Sequence, residues 1–438
     1  MITLTEAAHW TKRLVWFVGP GFFLFFLVIT IIIGRDATIH IPEYNTPEPY
    51  CTQDMQEFLG YQLEISSVQQ HNPEQESFQI ETDTGRYEEF PEIINVYEYD
   101  NLGQTFTSRR DAQRIAEQLG FDPEEIQTVD TATYGWSDEY GRELEVKASN
   151  LPFEYEVDLS QDDALPPEEG NLPSDNQAIS EARSFLRSAN LDIGEYSDYE
   201  PSTMYIEITR DGSFREARAR VDADLVRVDF QRQKSMITIE EHKEGAEATK
   251  DSLERRIGEG IYSLSTDTTV TDRGREVETY TFDIGVTTED PYESNISIYI
   301  GAENENWDID EGANIYAAKY SNWIIEDNHC GTYELISPGL AIDNITQGDG
   351  SLVYLRERDA DRVIEHQEKN VEKFEIRNIT LRYYDDPKEQ RFLKPVYEIS
   401  GNVSFSGGNR GEFLFYYSAI DYEAIHVENQ EDDENETT

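Results

Sequence analysis

Seven histidines and two cysteines are spread through the chain, and only His329 and Cys330 stand side by side. Neighbours in sequence rarely reach the geometry that a nucleophile and its base require. No ligand-forming residues stand at metal spacing around the pair, so it reads as an ordinary loop. The chain has no G-x-S-x-G, H-E-x-x-H or C-x-x-C motif and no Gly-Lys dipeptide. A nucleophile elbow, a zincin helix, a redox pair and a phosphate loop are therefore all missing. With 90 Asp and Glu residues, close carboxylate pairs arise by accident and nominate no acid–base site. The run from Asp308 through Asp310 and Glu311 to Gly312 is similar to part of a calcium loop but lacks the twelve-residue ligand pattern; it reads as a solvated turn. Arg218, Arg220 and Arg227 would suit an anion, yet cross-strand pairing with Asp222, Asp224 or Asp229 accounts for them more simply. No catalytic, cofactor-binding or metal-binding residue is assigned.

Tyrosine is the residue that stands out. Tyr383, Tyr384, Tyr397, Tyr416 and Tyr417 fall on strands expected to be adjacent. Buried, they are core and cross-strand pairs. Exposed, Tyr383, Tyr384, Tyr416 and Tyr417 would form a protein-binding surface, where tyrosine is enriched.

The elements that must position these residues follow one arrangement, a short capped helix and then a strand meander. A first helix starts near Ser108, places Ala112, Ile115, Ala116 and Leu119 on one face, and stops at Gly120. A second begins at Ser174 with Gln177 three residues on, a capping box, and buries Ile179, Ala182, Phe185 and Leu186. Strands follow at Met204 to Thr209, Phe214 to Val221 and Leu225 to Phe230. A third helix opens at Ser337-Pro338 and ends at Gly348. After it come strands at Phe374 to Tyr384, Val396 to Phe405 and Glu412 to Ile420. The change of parity between Ile376 and Ile379 calls for a bulge near Asn378, and residues 406–411 make a hairpin connection. A charged stretch from Glu240 to Arg256 has helical composition, and Tyr280 to Val286 and Ile296 to Ile300 read as further strands. The expectation is an α+β fold of three such units, at 51–165, 166–320 and 321–426.

The segment Leu14 to Ile33 is uncharged and long enough to cross a bilayer as a helix. Lys12 and Arg13 precede it, which would leave residues 1–13 in the cytoplasm and the rest outside it. Residues 34–50, with three prolines, read as an extended stalk, and the acidic end at 427–438 as a disordered tail. A net charge of −54 excludes a nucleic-acid partner. It suits a protein working in high salt, where self-repulsion is screened. Disorder is excluded for the body of the chain by 26 tyrosines and 20 phenylalanines. Cys51 and Cys330 allow either a disulfide or two free thiols. Asn295, Asn344, Asn378, Asn402 and Asn435 begin N-x-S/T sequons, a number near chance.

Residues 330–421, with CGTYELISPGLAIDNITQGDGSLVYL, then IRNITLRYYDDPKEQRFLKPVYEISGNV and FLFYYSAID, resemble uncharacterised bacterial single-pass membrane proteins. They are also similar to the extracytoplasmic domains of YycH/YycI-type regulators and, more distantly, to PepSY-like modules. The resemblance implies a non-enzymatic protein at the cell envelope, held by one membrane helix, that binds a protein partner or senses a ligand without a cofactor. It carries over no catalytic residue. Two other functions fit the same residues: a carboxylate-dependent hydrolase acting on envelope polymer, or a purely structural surface protein.

Overall fold

In a computed structural model, the chain is described at residues 47–48, 51–52, 63–82, 90–100, 103, 105–130, 132–161, 163–167, 171–257, 262–270, 276–309, 312–357, 368–386, 390–422 and 425. Along the chain come β1 (Ser77–Ile80), β2 (Ile93–Asp100), α1 (Ser108–Gln118), β3 (Gln127–Thr128), β4 (Thr133–Ser137), β5 (Arg142–Lys147), β6 (Phe153–Val157) and α2 (Asp175–Ser188). Next are β7 (Ser202–Ile208), β8 (Phe214–Glu216), β9 (Leu225–Phe230), β10 (Gln233–His242), α3 (Lys243–Ile257), β11 (Ser263–Val270), β12 (Glu276–Thr287), β13 (Ile296–Ile300) and β14 (Ile315–Tyr320). The last are β15 (Ile324–Ile325), β16 (Gly331–Glu334), α4 (Pro338–Gln347), β17 (Ser351–Glu357), β18 (Val371–Tyr384), β19 (Phe392–Phe405) and β20 (Arg410–Ser418).

The strands form two large sheets. One has nine strands in the order β3-β4-β5-β6-β14-β13-β9-β7-β8. The other has eleven, with β10-β12-β18-β19-β2-β15 as its spine and β1, β11, β16, β17 and β20 paired beside it. Strand accounts for 43% of the structure and helix for 17%, which corrects the expected series of helix-plus-meander α+β units: the fold is mostly β. The reason lies in the pairing. β2 joins β16 and β19, more than 200 residues further on, and β12 runs parallel to β18. Meanders between sequence neighbours therefore merge into shared sheets instead of closing as separate units.

Local rules still decide where the helices begin and end. At α2, Gln177 Oε1 accepts from the Ser174 backbone N–H at 3.0 Å, one half of the capping box. Ala178, Ala182, Phe185 and Leu186 are its buried face. At α4, Ser337 Oγ accepts from Leu340 N at 3.2 Å, Pro338 opens the helix, and Gly348 ends it at φ +113°, a left-handed position that suits glycine. α1 and α2 cover one face of the nine-stranded sheet, burying Ile115, Phe185 and Leu186 with Val226, Val228, Phe230, Ile296 and Ile298. The β18–β19 ladder slips between Ile376 and Asn378, the bulge that the parity change requires. Only Phe214–Glu216 of the expected strand Phe214 to Val221 forms; Arg220–Asp222 turn in a 3-10 helix instead.

The expected membrane helix at Leu14 to Ile33 lies outside the described residues, as do most of the stalk at 34–50 and all of the tail at 427–438. Among the described residues no helix is long and apolar enough to cross a membrane. The single-pass anchor, the attachment through one helix and the cell-membrane, extracytoplasmic placement that depended on it are accordingly withdrawn.

Candidate functional site

The chain passes between the two sheets at four points among the described residues: from β2 to β3, from β9 to β10, from β12 to β13 and from β14 to β15. The last three crossings each bring a residue into one buried cluster. Arg232 lies between β9 and β10, Asn295 between β12 and β13 and Trp323 between β14 and β15, all three buried. Asp385, just past the end of β18, is at its centre and is fully buried. Its Oδ1 accepts from the Tyr99 hydroxyl at 2.7 Å, and its Oδ2 accepts from Tyr196 at 3.2 Å and from Arg232 Nη2. Arg232 Nη1 donates to the Trp323 carbonyl at 3.0 Å, and the guanidinium lies over the Tyr196 ring, 4.8 Å from its centroid. Asn295 Nδ2 donates to the Asp385 carbonyl at 2.9 Å.

The electrostatics follow from burial. The Tyr99 and Tyr196 hydroxyls are held well above the usual phenol range, first because burial disfavours the phenolate. Burial by itself would lower the Arg232 guanidinium, but the Asp385 carboxylate beside it reverses the sign and the net direction is up. Both tyrosines therefore stay protonated donors and the arginine stays charged. A buried pair of this kind survives because hydrogen bonds complete it, here from two phenols and a carbonyl acceptor. Fully buried and accepting from three side chains, Asp385 ties together segments that lead into and out of the two sheets.

A second layer continues it. Lys234, at the start of β10, pairs with Glu195 of the 3-10 turn Gly194–Ser197, and its ammonium lies over the Tyr97 ring at 4.8 Å. Tyr97 and Tyr383 both donate to the Ser235 carbonyl, at 2.8 and 3.0 Å, and Tyr383 also reaches the Asn95 carbonyl at 2.7 Å. Burial, opposed by Lys234, raises the Asp283 carboxyl.

The four tyrosines expected as a protein-binding surface do not form an exposed patch. Tyr383 and Tyr384 are fully buried and Tyr416 nearly so. Tyr384 and Tyr416 meet edge to face with centroids 5.8 Å apart, and the Tyr416 hydroxyl bonds Thr287. Tyr417 is half-buried and accepts from Asn344 Nδ2 of α4 at 2.8 Å. Alternation along β18 and β20 could not by itself tell a covered face from an open one; here Tyr383, Tyr384 and Tyr416 lie on covered faces, and the Tyr383 and Tyr416 hydroxyls find partners inside.

The remaining sequence candidates separate as well. Cys330 is joined to Cys51 by a disulfide, which removes it as a partner for the exposed His329. The three arginines do not converge. Arg227 bonds Asp229 at 2.9 Å in the interior, Arg220 donates to the carbonyls of Leu172 and Pro173, and Arg218 is exposed. Asp308 lies in the loop before β14, and residues 310–311 fall outside the described set; among the described residues no group of three or more His, Cys, Asp or Glu is placed to hold a metal. Asn295, the first residue of one sequon, is wholly buried.

An exposed corner of the described structure is formed where β10, β12 and β11 lie side by side. α3 packs on one face of this three-stranded sheet, over Ile239, Tyr280 and Phe282, with Ala246 and Leu253 buried beneath it and Lys250 over the Tyr280 ring at 5.5 Å. The registers put Thr238, Thr281 and Ser265 in one cross-strand row and Glu240, Thr279 and Asp267 in the next, on the opposite face. All six are exposed or half-buried.

No protein-family model matches the chain, and no curated protein matches it. Among solved structures, an uncharacterized protein from Eubacterium rectale aligns over 79% of this chain and 89% of its own at 11% identity, with a TM-score of 0.31.

Proposed function

We propose that this is a non-enzymatic binding protein, in which two sheets joined by the Arg232–Asp385 cluster support a polar contact surface for a protein partner. The observation that carries this reading is the β10–β12–β11 sheet. One of its faces is packed by α3, and the other displays Thr238, Ser265, Thr279 and Thr281 between Glu240 and Asp267. Short hydroxyl side chains on a pleated sheet present a flat, hydrogen-bonding surface at low entropic cost. The residues with the most enzyme-like surroundings support the reading from the other side, since Asp385, Tyr99, Tyr196 and Arg232 bond one another in the interior.

Site-specific photocrosslinking in the native cell tests it. A crosslinker replacing Thr238, Ser265 or Thr279 should yield one recurring protein adduct, and one replacing the exposed Glu143 or Gln127 of the other sheet should not. Adducts confined to the control positions, or a turnover abolished by Asp385→Asn in a chain that keeps its fold, would defeat the proposal.

A further inference from the structure

We infer that β11 is a docking edge, and that its occupant is an extended, positively charged segment of a partner protein that adds to the sheet as a further strand. The inference rests on the binding role proposed above and names the chemistry of the partner.

Among the described residues β11 pairs with β12 alone, so one of its two rows of backbone N–H and C=O groups faces outward. The pairing with β12 runs from Ser263 opposite Asp283 to Val270 opposite Glu276 without a register shift. Seven of its eight residues are exposed, and only Leu264 is half-buried. Natural edge strands are usually blunted by lysine, proline, a bulge or shortness, because an open row is a template for pairing. β11 is regular and eight residues long, and its sequence SLSTDTTV contains neither lysine nor proline. Threonine and valine favour the extended conformation, so the strand is ready to be paired without rearrangement. This is the surface that peptide recognition by strand addition uses: main-chain hydrogen bonds supply affinity and alternate side chains supply selection.

Charge selects the occupant. Asp267 on β11, Glu276 on β12 and Glu240 on β10, beyond β12, are exposed, and neither β11 nor β12 contains a lysine or arginine. A second copy pairing β11 with β11 would face Asp267 and the surrounding acids with the same acids, on molecules that each carry a net charge of −54. Like charges brought together across an interface oppose association, and opposite charges steer it. A basic strand meets no such barrier.

The full chain can be tested with two probe peptides, one alternating lysine with valine and one alternating glutamate with valine. The basic peptide should bind at least about tenfold more tightly at low salt, weaken as ionic strength rises, and slow amide hydrogen exchange within Ser263–Val270. Proline substitution supplies the second arm. Successive N–H groups along a strand point to opposite sides, so of Thr266→Pro and Asp267→Pro one removes an outward donor and the other a donor to β12. The variant that keeps the parental melting temperature should lose the basic peptide. Protection outside Ser263–Val270, equal binding of the acidic peptide, unchanged binding by the stable proline variant, or self-association that shields β11 with no peptide present would each overturn the inference. If crosslinks from the open face persist while the peptides fail, the binding role stands and the edge does not.

Discussion

The eleven-stranded sheet ends in two different ways. At the β2 end, β16 closes over Ile93–Val96, residue Glu48 bridges to Thr332 on β16, and the Cys51–Cys330 disulfide fastens that segment beside it. Tyr333, Phe392 and Ile420 pack around Cys51 and Val96. At the other end β11 has no such cover among the described residues: its side chains are almost all exposed and one backbone row faces out. One sheet thus has a sealed edge, held by apolar packing and a covalent bond across 279 residues, and an edge left for pairing. Between them the Arg232–Asp385 cluster fixes the sheet to its nine-stranded neighbour. The covalent, ionic and apolar contacts named here lie at the centre and the sealed end, so a strand added at the open end would displace none of them.

That contrast predicts a gradient of sensitivity. The largest effect belongs to the centre. Arg232→Met would leave Asp385 buried without its cation and should cost about 3–5 kcal/mol, the usual penalty for breaking a buried pair on one side. Urea denaturation would measure it, and adding Asp385→Leu to make the double variant should recover much of the loss. A small effect for Arg232→Met alone would mean that the two phenols suffice.

The sealed edge comes next. Replacing both Cys51 and Cys330 with serine should lower stability by roughly 2–4 kcal/mol, chiefly by freeing the unfolded chain. Hydrogen exchange should show β16 and the start of β2 loosening before β18 does.

A pH effect arises near the same edge. Lys394 is 1% exposed, and burial alone lowers its ammonium pKa to about 7. The unfolded side chain keeps its ordinary value, so between about pH 7 and 10.5 the unfolded state binds more protons. Stability should therefore rise with pH through that window, and the penalty should be fully present below it. Lys394→Met should stabilise the protein at neutral pH by up to about 4 kcal/mol, with 1.36 kcal/mol per pKa unit setting the scale, and should flatten the slope. An unchanged slope in urea titrations at several pH values would assign the dependence to other groups. The smallest effect is expected at the open edge: Thr268→Ser or Thr269→Ser on β11 should change stability by less than about 0.5 kcal/mol, as for surface positions without special contacts.

What could be read in the chain sorts by the distance over which the physics acts. The capping box at Ser174 and Gln177, the Ser337-Pro338 start and Gly348 stop of α4, and the bulge near Asn378 are all local signals, and the structure contains each of them. β2 went unread because six of its eight residues are buried, so IINVYEYD shows no alternation. β9 hides its polarity in the same way, with Arg227 and Asp229 buried among valines. The merging of local meanders into two sheets depends on partners hundreds of residues apart, which leave no period to detect. The central cluster was illegible for the same reason: Tyr99, Tyr196, Arg232, Asn295 and Asp385 come from five separate segments, and only Asn295, as a sequon, and Asp385, within the string IRNITLRYYDDPKEQRFLKPVYEISGNV, stood out in the sequence. The tyrosines at 383, 384 and 416 were visible as a group, but their burial depends on which strands cover them.

Native-state hydrogen exchange on the isolated full chain tests the contrast between the two ends most directly. The amides of β2 and β16 that bond across their ladder should exchange only in global or near-global opening. Along Ser263–Val270, protection should alternate, with the amides bonded to β12 slowed and those between them exchanging nearly as fast as in an unstructured peptide. Uniform protection along β11, matching that of β2, would show that its outer edge is already covered and would contradict the account.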